Sequence, residues 1–532
     1  MASDETMLAA IAEMQGPAGF DVVIVCCSDL SGERFWQRRL EHTIVEVVGK
    51  QSTVIAVHED WNGGAGNGLG TLYAFHKACA QSGEKFDLRA SLAGGASVAI
   101  YHTAGKGTRL APLPGAENNN KPAVKLPSLL SVGPFHNERV PLTVLEAVMR
   151  QTSTYAPVRK GRVSVFWGDQ VFVPSVGITS TDHPADIMAQ LSPMPTQAEW
   201  ESRGLHQYGL IAVDAAGDAT QLEKVGYADA TRYVSGAERV GTSLGSFSMS
   251  GPLVEALLTE FAVELDAKCE CYDSDPHFWM PLTLSKEAYL EVMGGKGEPP
   301  EPTARHYARM ADFRKRFEAS TGWGKGMLGC VDVGAHALWW DYGRLELYRQ
   351  YNLHATETNA SARALRTFLR LEGADGADGR QRHNDGCGAV KIAPGAVVLN
   401  CAIRSGRIGP EAVLVNVTAP SVDVDSAILI DVTSTSTVVG EGGVLYNVVH
   451  TSGEELSAAR VRADVFAPDR PPLPMVCDVQ TDGKKAWKEV LPGNTESFAS
   501  VHALNQKVDV CDCVNAAAAA HAKAAAELEA RQ

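Results

Sequence analysis

The sequence lacks several features that would place a protein in a common class. It has 11 cysteines but no Cys-x-x-Cys pair, and none of its Cys and His residues have zinc-finger spacing. It has no excess of positive charge, because 48 Lys and Arg are set against 63 Asp and Glu and the net charge is -15. It has no apolar run close to the roughly 20 residues that span a bilayer. These absences argue against a zinc finger, a nucleic-acid binder and a membrane protein.

The first residues, MASDETMLAAIAEMQG, lack the basic start of a secretory signal peptide. An odd number of cysteines without paired spacing is typical of reduced thiols. We therefore expect a cytoplasmic protein with neither a nucleic-acid nor a membrane partner. The chain has 532 residues, of which 45% are hydrophobic, enough for a large core and more than one domain.

The first part of the chain alternates short, β-branched apolar runs with segments of helical character. This order is typical of an α/β fold with a doubly wound, Rossmann-like sheet, and we expect one such domain over residues 1–380. The four clearest strand candidates are FDVVIVCCSDL (Phe20 to Leu30), STVIAVHED (Ser52 to Asp60), SVAIYHTAG (Ser97 to Gly105) and GRVSVFWGDQ (Gly161 to Gln170).

Residues 381–510 have a different sequence pattern, with short β-branched segments separated by Gly or Asn and almost no helical periodicity. Ala396, Ala402, Ile408 and Leu414 follow one another at a six-residue step, which predicts a left-handed parallel β-helix. A β-sandwich with frequent turns is the alternative. Residues 511–532 are rich in alanine and predict a C-terminal helix.

The stretch TAGKGTRLAPLP (Thr103 to Pro114) directly follows a predicted strand. Gly105 and Gly107 would let successive N–H groups face one anion, and Arg109 adds a planar set of donors. Lys121, in the following NKPAVKLP, adds a second cation. The stretch contains neither the GK[ST] pair of a P-loop nor a full GxGxxG. The residues alone therefore leave a phosphate-binding loop and an ordinary flexible turn equally open.

The longer stretch AGKGTRLAPLPGAENNNKPAVKLP resembles the signature of the sugar nucleotidyltransferases, the NDP-sugar pyrophosphorylases, in its spacing of GTRL, proline and KP. The resemblance implies that this loop wraps a nucleoside triphosphate and that Arg109 and Lys121 stabilise the departing pyrophosphate. It also implies that the nucleotide-binding residues of the loop are Gly105, Lys106, Gly107 and Thr108.

Further segments are similar to this family in the family's order: VFWGDQVF, LEKVGY, LGSFSMS and LWWDYGRLELY. The resemblance implies that Mg²⁺ is held by Asp169 and Asp341. It implies that Glu223 and Lys224 hold the sugar and its phosphate, and that Gly245 lies at the sugar.

A second glycine-rich loop, GGAGNGLGTLYAF, precedes the signature. It is similar to a loop in the GDP-fucose pyrophosphorylase group. The resemblance implies that further substrate- or nucleotide-binding residues are Asn67, Gly68, Gly70 and Thr71.

These resemblances predict a Mg²⁺-dependent sugar-1-phosphate nucleotidyltransferase that joins an NTP and a sugar-1-phosphate to give an NDP-sugar and pyrophosphate. The residues expected to act in catalysis are Arg109, Lys121, Asp169 and Lys224. The chain departs from the family at Ala104, Val225 and Arg344. An inactive protein of this fold, serving as a nucleotide or sugar sensor or as a scaffold, is therefore the alternative. A β-helix would also suit a homo-oligomer.

Overall fold

The computed structural model describes residues 4–83, 86–131, 139–233, 237–371, 382–384 and 389–530. The strands are β1 (Val22–Cys27), β2 (Thr53–His58), β3 (Val98–His102), β4 (Lys125–Leu130), β5 (Val140–Thr143), β6 (Arg162–Trp167), β7 (Gln170–Val173), β8 (Ala185–Ser192), β9 (Gly209–Val213), β10 (Ala219–Glu223), β11 (Arg239–Ser250), β12 (Leu328–Asp332), β13 (Leu338–Asp341), β14 (Arg382–Asn384), β15 (Ala389–Ile392), β16 (Val397–Ile408), β17 (Val413–Val424), β18 (Ala427–Ser434), β19 (Ser436–Val439), β20 (Gly443–His450), β21 (Glu454–Leu456), β22 (Arg460–Ala467) and β23 (Arg470–Asp478).

The α-helices lie between and after these strands. They are α1 (Asp4–Met14), α2 (Leu30–Val48), α3 (Gly66–Ser82), α4 (Leu88–Ala93), α5 (Leu113–Ala116), α6 (Val144–Thr152), α7 (Gln197–Ser202), α8 (Tyr227–Tyr233), α9 (Gly251–Glu260), α10 (Ala262–Ala267), α11 (Met280–Thr283), α12 (Lys286–Gly295), α13 (Pro300–Thr321), α14 (Leu345–His354), α15 (Ala360–Phe368), α16 (Phe498–Asn505) and α17 (Val510–Ala530). None of the helices in the described ranges is long and apolar enough to cross a membrane.

A mixed sheet forms the centre of the first part of the chain. Its parallel half has the order β2-β1-β3-β6, and β6 is followed by the antiparallel strands β11, β9 and β10. The parallel strands are the four that the apolar runs predict, so the expectation of an α/β fold is confirmed. Strands β8 and β12 extend the same sheet beside β11.

Alternate residues of β1 enter two different hydrophobic cores, because successive side chains of a strand point to opposite faces. Val23 and Val25 pack with α2 in one core, while Val22 and Ile24 pack with α3 in the other. The sheet is therefore covered by helices on both faces, which is the reason that β1 reads as a continuous apolar run.

The second large sheet is built from parallel strands stacked one coil on the next from β14 to β22, and β23 pairs antiparallel with β22. This confirms parallel coils and is incompatible with the antiparallel pairing of a β-sandwich. The six-residue step is wrong as a description of these coils, because Ala402 is exposed and equivalent residues are 15 or 16 positions apart. A left-handed course is not confirmed.

One column of polar residues marks the turn of each coil. Asn400, Asn416, Asp431 and Asn447 all have φ between 52° and 56°, a left-handed conformation that Asn and Asp tolerate best. Asn400 donates to Asn416 at 2.7 Å, and Asn416 donates to Asp431 at 2.7 Å. This ladder is the reason that Asn recurs in the segment.

The stacked coils and the first sheet share one core. Val397, Val413 and Ile428 of the coils belong to the same hydrophobic cluster as Val23 and Val25 of β1. Helix α17 confirms the predicted alanine-rich helix and lies against β18, β20 and β22. The two sheets and the last helix therefore pack together through buried surface.

Candidate functional site

The parallel strands β1, β2, β3 and β6 end at one edge of the first sheet. The register pairs Cys27 with His58 and His102 with Trp167, so these four strands stop at the same level. The glycine loop leaves β3 at this edge, and Asp169 follows β6 there. Ligands of open α/β sheets bind at the carboxyl ends of the strands, so this edge is the place where a site is expected.

The glycine loop is anchored at its start and bent at its two glycines. Thr103 donates through its hydroxyl to the carbonyl of Cys26 at 2.9 Å. Gly105 has φ 127° and faces open space, whereas Gly107 has φ 61° and lies against Lys121. A Cβ atom at position 107 would be 3.1 Å from the Cβ of Lys121. Glycine at 107 therefore lets the loop and the Lys121 segment approach closely.

Lys121, Asp169 and Asp341 meet beside the loop. The Lys121 ammonium makes an ion pair with Oδ2 of Asp169. A Cβ atom on Gly343 would lie 3.0 Å from both Asp169 Oδ2 and Asp341 Oδ1, and 3.7 Å from Lys121 Nζ. Because both carboxylate oxygens lie 3.0 Å from this one Cβ position, the distance between them is at most twice that value.

Strand pairing explains how residues distant in the chain reach this point. Strand β13 pairs antiparallel with β7, which sets Asp341 opposite Gln170, the residue after Asp169. The backbone N–H of Tyr342 also donates to the carbonyl of Asp169 at 3.1 Å. The structure thus brings together Lys121, Asp169 and Asp341, three of the residues that the sequence singles out.

The local charges act on the carboxyl of Asp341. Burial raises the pKa of Asp341, the Gly343 N–H lowers it, the neighbouring Asp169 raises it, and Lys121 and Arg109 lower it, with a net rise. Two carboxylates in a partly desolvated place disfavour each other's charge, so a cation between them would be stabilised.

Arg109 and Lys106 lie on the exposed side of the same loop. Within the part of the chain that the structure describes, neither guanidinium nor ammonium makes a hydrogen bond or ion pair. Thr108 opens a 3₁₀ turn that carries Arg109. The loop therefore presents two cations to solvent at the edge of the carboxylate pair.

The residues at this site suit a Mg²⁺ ion that is also bound by a phosphate. They do not suit a Mg²⁺ ion whose ligands all come from protein side chains. Among the described residues, no group of three or more His, Cys, Asp or Glu side chains is placed to hold a metal ion. Mg²⁺ is commonly held by one or two carboxylates, with substrate phosphates and water as the remaining ligands. Asp341 Oδ1 accepts from the Gly343 N–H at 2.7 Å, which fixes that carboxylate beside Asp169.

A second cluster contains the residues assigned to the sugar. Lys224 has φ 54° and pairs with Glu223 at 2.9 Å, and its side chain is 61% exposed. A Cβ atom on Gly209 would be 3.0 Å from Glu223 Oε2 and 3.1 Å from Ser243. The hydroxyl of Ser243 accepts from the N–H of Gly245 at 3.1 Å. Glu223, Lys224 and Gly245 are therefore neighbours, as the resemblance implies.

Gly245 lies between this cluster and β6, the strand that precedes Asp169. It has φ 74°, and a Cβ atom there would lie 2.5 Å from Nε1 of Trp167. The Trp167 ring lies 5.2 Å from the ring of His102, centroid to centroid. Burial lowers the pKa of His102 to about 4, so this histidine is neutral at pH 7. The Trp167 side chain thus separates the sugar cluster from the β3 strand end.

Asp275 is a member of this region that sequence reasoning missed. Burial raises the pKa of Asp275 to about 7, Glu223 adds to the rise, and Ser274 opposes it. The residue begins a π-helical turn, Asp275–Trp279. No motif marks it, because its proximity to Glu223 depends on the packing of this turn against β10.

The second glycine loop contacts its own chain. The N–H groups of Gly68 and Leu69 donate to the carbonyl of Tyr272 at 2.8 Å and 3.1 Å, and the Asn67 N–H donates to Asp273 at 2.9 Å. A Cβ atom on Gly68 would lie 2.8 Å from the Tyr272 carbonyl oxygen. These glycines therefore allow a close approach of the 270–274 segment.

Gly70 and Thr71 lie deeper in the same contact. A Cβ atom on Gly70 would be 2.9 Å from Glu59 Oε2. The hydroxyl of Thr71 lies 2.8 Å from Nε2 of His102. Among the described residues, no hydrogen bond joins Asn67, Gly68, Gly70 or Thr71 to the Lys121 cluster, and these four residues lie in a packed contact with their own chain.

The C-terminal segment, residues 483–505, contacts the signature stretch and holds it in place. Asn119, in the turn before Lys121, has φ 68° and donates to the carbonyl of His502 at 2.8 Å. Asn505 donates to the carbonyl of Gly115 at 2.8 Å. A side chain at Gly483 would collide with the carbonyl oxygen of Thr108. The placement of the loop and of Lys121 therefore depends on residues far along the chain.

The three departures from the family have different surroundings. Ala104 is exposed beside Gly105, whose Cβ position is open. Val225 is 6% exposed and packs in a core with Trp200. Arg344 is exposed at the start of α14. Neither Ala104 nor Val225 is among the atoms nearest the Cβ position of Gly343, and Arg344 is the next residue in the chain.

No family model matches this chain, and no curated protein matches it.

Proposed function

We propose that the chain is a sugar-1-phosphate nucleotidyltransferase that forms an NDP-sugar and pyrophosphate from an NTP and a sugar-1-phosphate. The observation that carries the proposal is the meeting of Lys121, Asp169 and Asp341 around Gly343, at the carboxyl edge of the parallel half of the first sheet. Arg109 and Lys106 extend from the adjacent loop. Local positive charge beside a carboxylate pair suits a substrate that carries several phosphates and a cation.

In the proposed reaction a phosphate oxygen of the sugar-1-phosphate attacks the α-phosphorus of the NTP. A bond forms between that oxygen and phosphorus, and the bond from the α-phosphorus to the bridging oxygen of pyrophosphate breaks. A phosphate monoester is already nucleophilic at neutral pH. The protein therefore has to position two anions and to stabilise the charge that develops on the departing group.

The location of each residue gives its role in the proposed reaction. Arg109 and Lys121 would bind the departing pyrophosphate, and Asp169 and Asp341 would hold Mg²⁺, whose charge offsets that of the phosphates when it is bound. Lys224, which is largely exposed, would bind the sugar phosphate beside Glu223. The pair of Lys121 with Asp169 keeps the ammonium at the edge of the site in the absence of substrate.

Three further expectations belong to the same proposal. We propose a cytoplasmic protein, and every cysteine among the described residues is a free thiol, as reducing conditions favour. The left-handed course of the coils stays a prediction. The same holds for a homo-oligomer formed through them and for the absence of a nucleic-acid partner, which the net charge of -15 supports.

The test incubates the purified full chain with Mg²⁺, each common NTP and a panel of sugar-1-phosphates, and measures pyrophosphate. We expect release with at least one pair. Lys121→Met should lower the rate by about 10²-fold or more, as loss of one preorganised charged donor does. Lys160→Met is the matched control, because Lys160 is exposed and precedes β6 at the opposite edge of the sheet.

Nucleotide binding without pyrophosphate release would support the alternative, a sensor or scaffold. The occupied N–H groups of Gly68 and Leu69 are the observation that favours it, since a loop that contacts its own chain has fewer donors for a ligand. Calorimetric titration of each NTP, run beside the rate assay, separates the two functions.

A further inference from the structure

A cavity of about 710 Å³ lies between the stacked coils, the Lys125 segment and α17, away from the Lys121 cluster. Its walls include the ladder residues Asn400, Asn416, Asp431 and Asn447, and alanines of α17 form the opposite side. This volume is within the range of pockets that hold small organic ligands, roughly 300–1,000 Å³.

Two cations in the wall are paired with carboxylates. Lys125 Nζ lies 2.9 Å from Glu117 and 2.8 Å from Asp431. Arg39 makes a two-point contact with Glu146, at 2.9 Å and 2.8 Å. Lys125 and Arg39 are thus committed to carboxylates, and Arg139 is the third cation of the wall.

Apart from Arg139, the remaining polar groups are uncharged donors and acceptors. Burial lowers the pKa of His521 to about 4, so its ring is neutral at pH 7 between Thr433, at 2.9 Å, and Asn447, at 3.2 Å. Thr418 and Thr433 are paired in register on neighbouring strands. The wall therefore offers amides and hydroxyls at the strand spacing of about 4.8 Å.

Alanine on α17 keeps the cavity open and gives it one apolar side. Ala517, Ala518, Ala522 and Ala525 line it, and none of them extends far enough to fill it. An apolar side facing a polar side suits a molecule with a hydrocarbon face and a rim of hydroxyl groups. A charged or fully apolar molecule matches only part of this wall.

We propose that the cavity binds an uncharged, hydroxyl-rich small molecule of the carbohydrate class. The ligand's hydroxyls would bond to Thr418 and the ladder amides, and its C–H face would pack on the alanines of α17. The site is separate from the one at Lys121, and the proposal does not depend on nucleotidyl transfer.

The experiment titrates the full chain with D-glucose, D-galactose, D-mannose, L-fucose and trehalose, using calorimetry and ligand-observed NMR. Hydrogen exchange then locates the bound sugar. We expect at least one sugar to saturate the protein and to protect amides in residues 116–125 and 510–525.

Two variants of α17 form a matched pair. Ala518→Phe places a ring in the cavity and should weaken binding about tenfold or more, because the volume is lost. Ala519→Phe changes an exposed neighbour outside the cavity and should leave affinity within about twofold. Thr418→Val removes one hydroxyl at nearly constant volume and should weaken binding by about fivefold, the loss of one hydrogen bond.

Several results would overturn the proposal. Saturation by none of the five sugars would do so, and so would equal binding by the Ala518→Phe and Ala519→Phe variants. Inorganic phosphate or ATP protecting residues 116–125 and 510–525 more strongly than any sugar would show that the ligand class is wrong. Sugar-induced protection at residues 167–170 and 341–343 instead would assign the binding to the Lys121 site.

Discussion

Gly343 is the residue on which the geometry of the carboxylate pair depends. Its missing side chain leaves room for Asp169, Asp341 and Lys121, because a Cβ atom would come within 3.0 Å, 3.0 Å and 3.7 Å of them. Distances near 3.0 Å are shorter than ordinary van der Waals contact. A single methyl group at this point therefore tests whether the cluster has to stay compact.

Gly343→Ala should lower the rate of pyrophosphate release by about tenfold or more, because small displacements of catalytic groups are costly. The fold should survive, since the change lies at the edge of the sheet. Gly177→Ala is the control, because nothing lies within 4 Å of its Cβ position. Equal rates in the two variants would show that the compactness of the cluster is unimportant.

Asp275 predicts a dependence of stability on pH. Its pKa of about 7 in the folded protein lies above the ordinary 3.8, so the folded form keeps a proton that the unfolded form has released. The stability that this proton contributes is present below pH 3.8 and is lost as the pH rises to about 7.

Asp275→Asn removes this titration. Relative to the wild type, the variant should gain about 1 kcal/mol or more in free energy of unfolding between pH 5 and pH 8. Urea denaturation of both proteins at the two pH values measures this gain, and effects of other titrating groups cancel in the comparison. A constant difference at pH 5 and pH 8 would contradict the assignment.

At the scale of elements, the sequence predicted the parts whose signal is local. The runs at β1, β2, β3 and β6 are apolar and β-branched because both faces of these strands are buried. The residues after β3 and β6 were predicted as site residues from the resemblance of their motifs to the nucleotidyltransferase signature. The carboxylate pair also depends on the β13–β7 pairing, which no sequence pattern predicted.

The coils were harder to predict, because their repeat is set by pairing between distant residues. The ladder step of 15 or 16 residues changes from coil to coil, so no fixed period appears in the sequence. The six-residue step placed Ala402 inside, yet it is exposed. The contact of the second glycine loop with Tyr272, and the position of Asp275, likewise depend on long-range packing.

Gly406 tests the stacking of two coils. It has φ 109° and lies against the Val422 backbone, where a Cβ atom would collide with the carbonyl oxygen. Gly406→Ala should therefore lower the free energy of unfolding by about 2 kcal/mol or more. Thermal and urea denaturation measure the loss, with Gly294→Ala as control because its Cβ position is open. Similar losses in both variants would contradict the packing of β16 on β17.

At the scale of the whole molecule, the last part of the chain holds the signature in place. Asn505 is 1% exposed and donates to Gly115, and it accepts from Arg470 at 2.8 Å. The turn that precedes Lys121 is likewise attached to α16 through Asn119. The site is therefore built from the glycine loop and from a helix almost 400 residues later, as the separation of 390 between Asn505 and Gly115 shows.

Asn505→Ala should loosen the glycine loop, because each lost buried hydrogen bond costs about 1 kcal/mol or more. Hydrogen exchange of residues 105–121 should become faster, while exchange in β1 should stay unchanged. Asn359→Ala, at the start of α15, is the control and should leave residues 105–121 unaffected. Unchanged exchange of residues 105–121 in the Asn505→Ala variant would show that the C-terminal segment does not hold the glycine loop in place.

The most direct measurement follows ³¹P NMR spectra of the full chain with Mg²⁺, an NTP and a sugar-1-phosphate. The account predicts that one pair gives the two coupled signals of an NDP-sugar together with pyrophosphate, and that adding pyrophosphate to the product regenerates the NTP. The Asp169→Asn variant should catalyse neither the forward reaction nor its reversal by pyrophosphate. Absence of product with every pair, or an unchanged rate in Asp169→Asn, would contradict the proposed function.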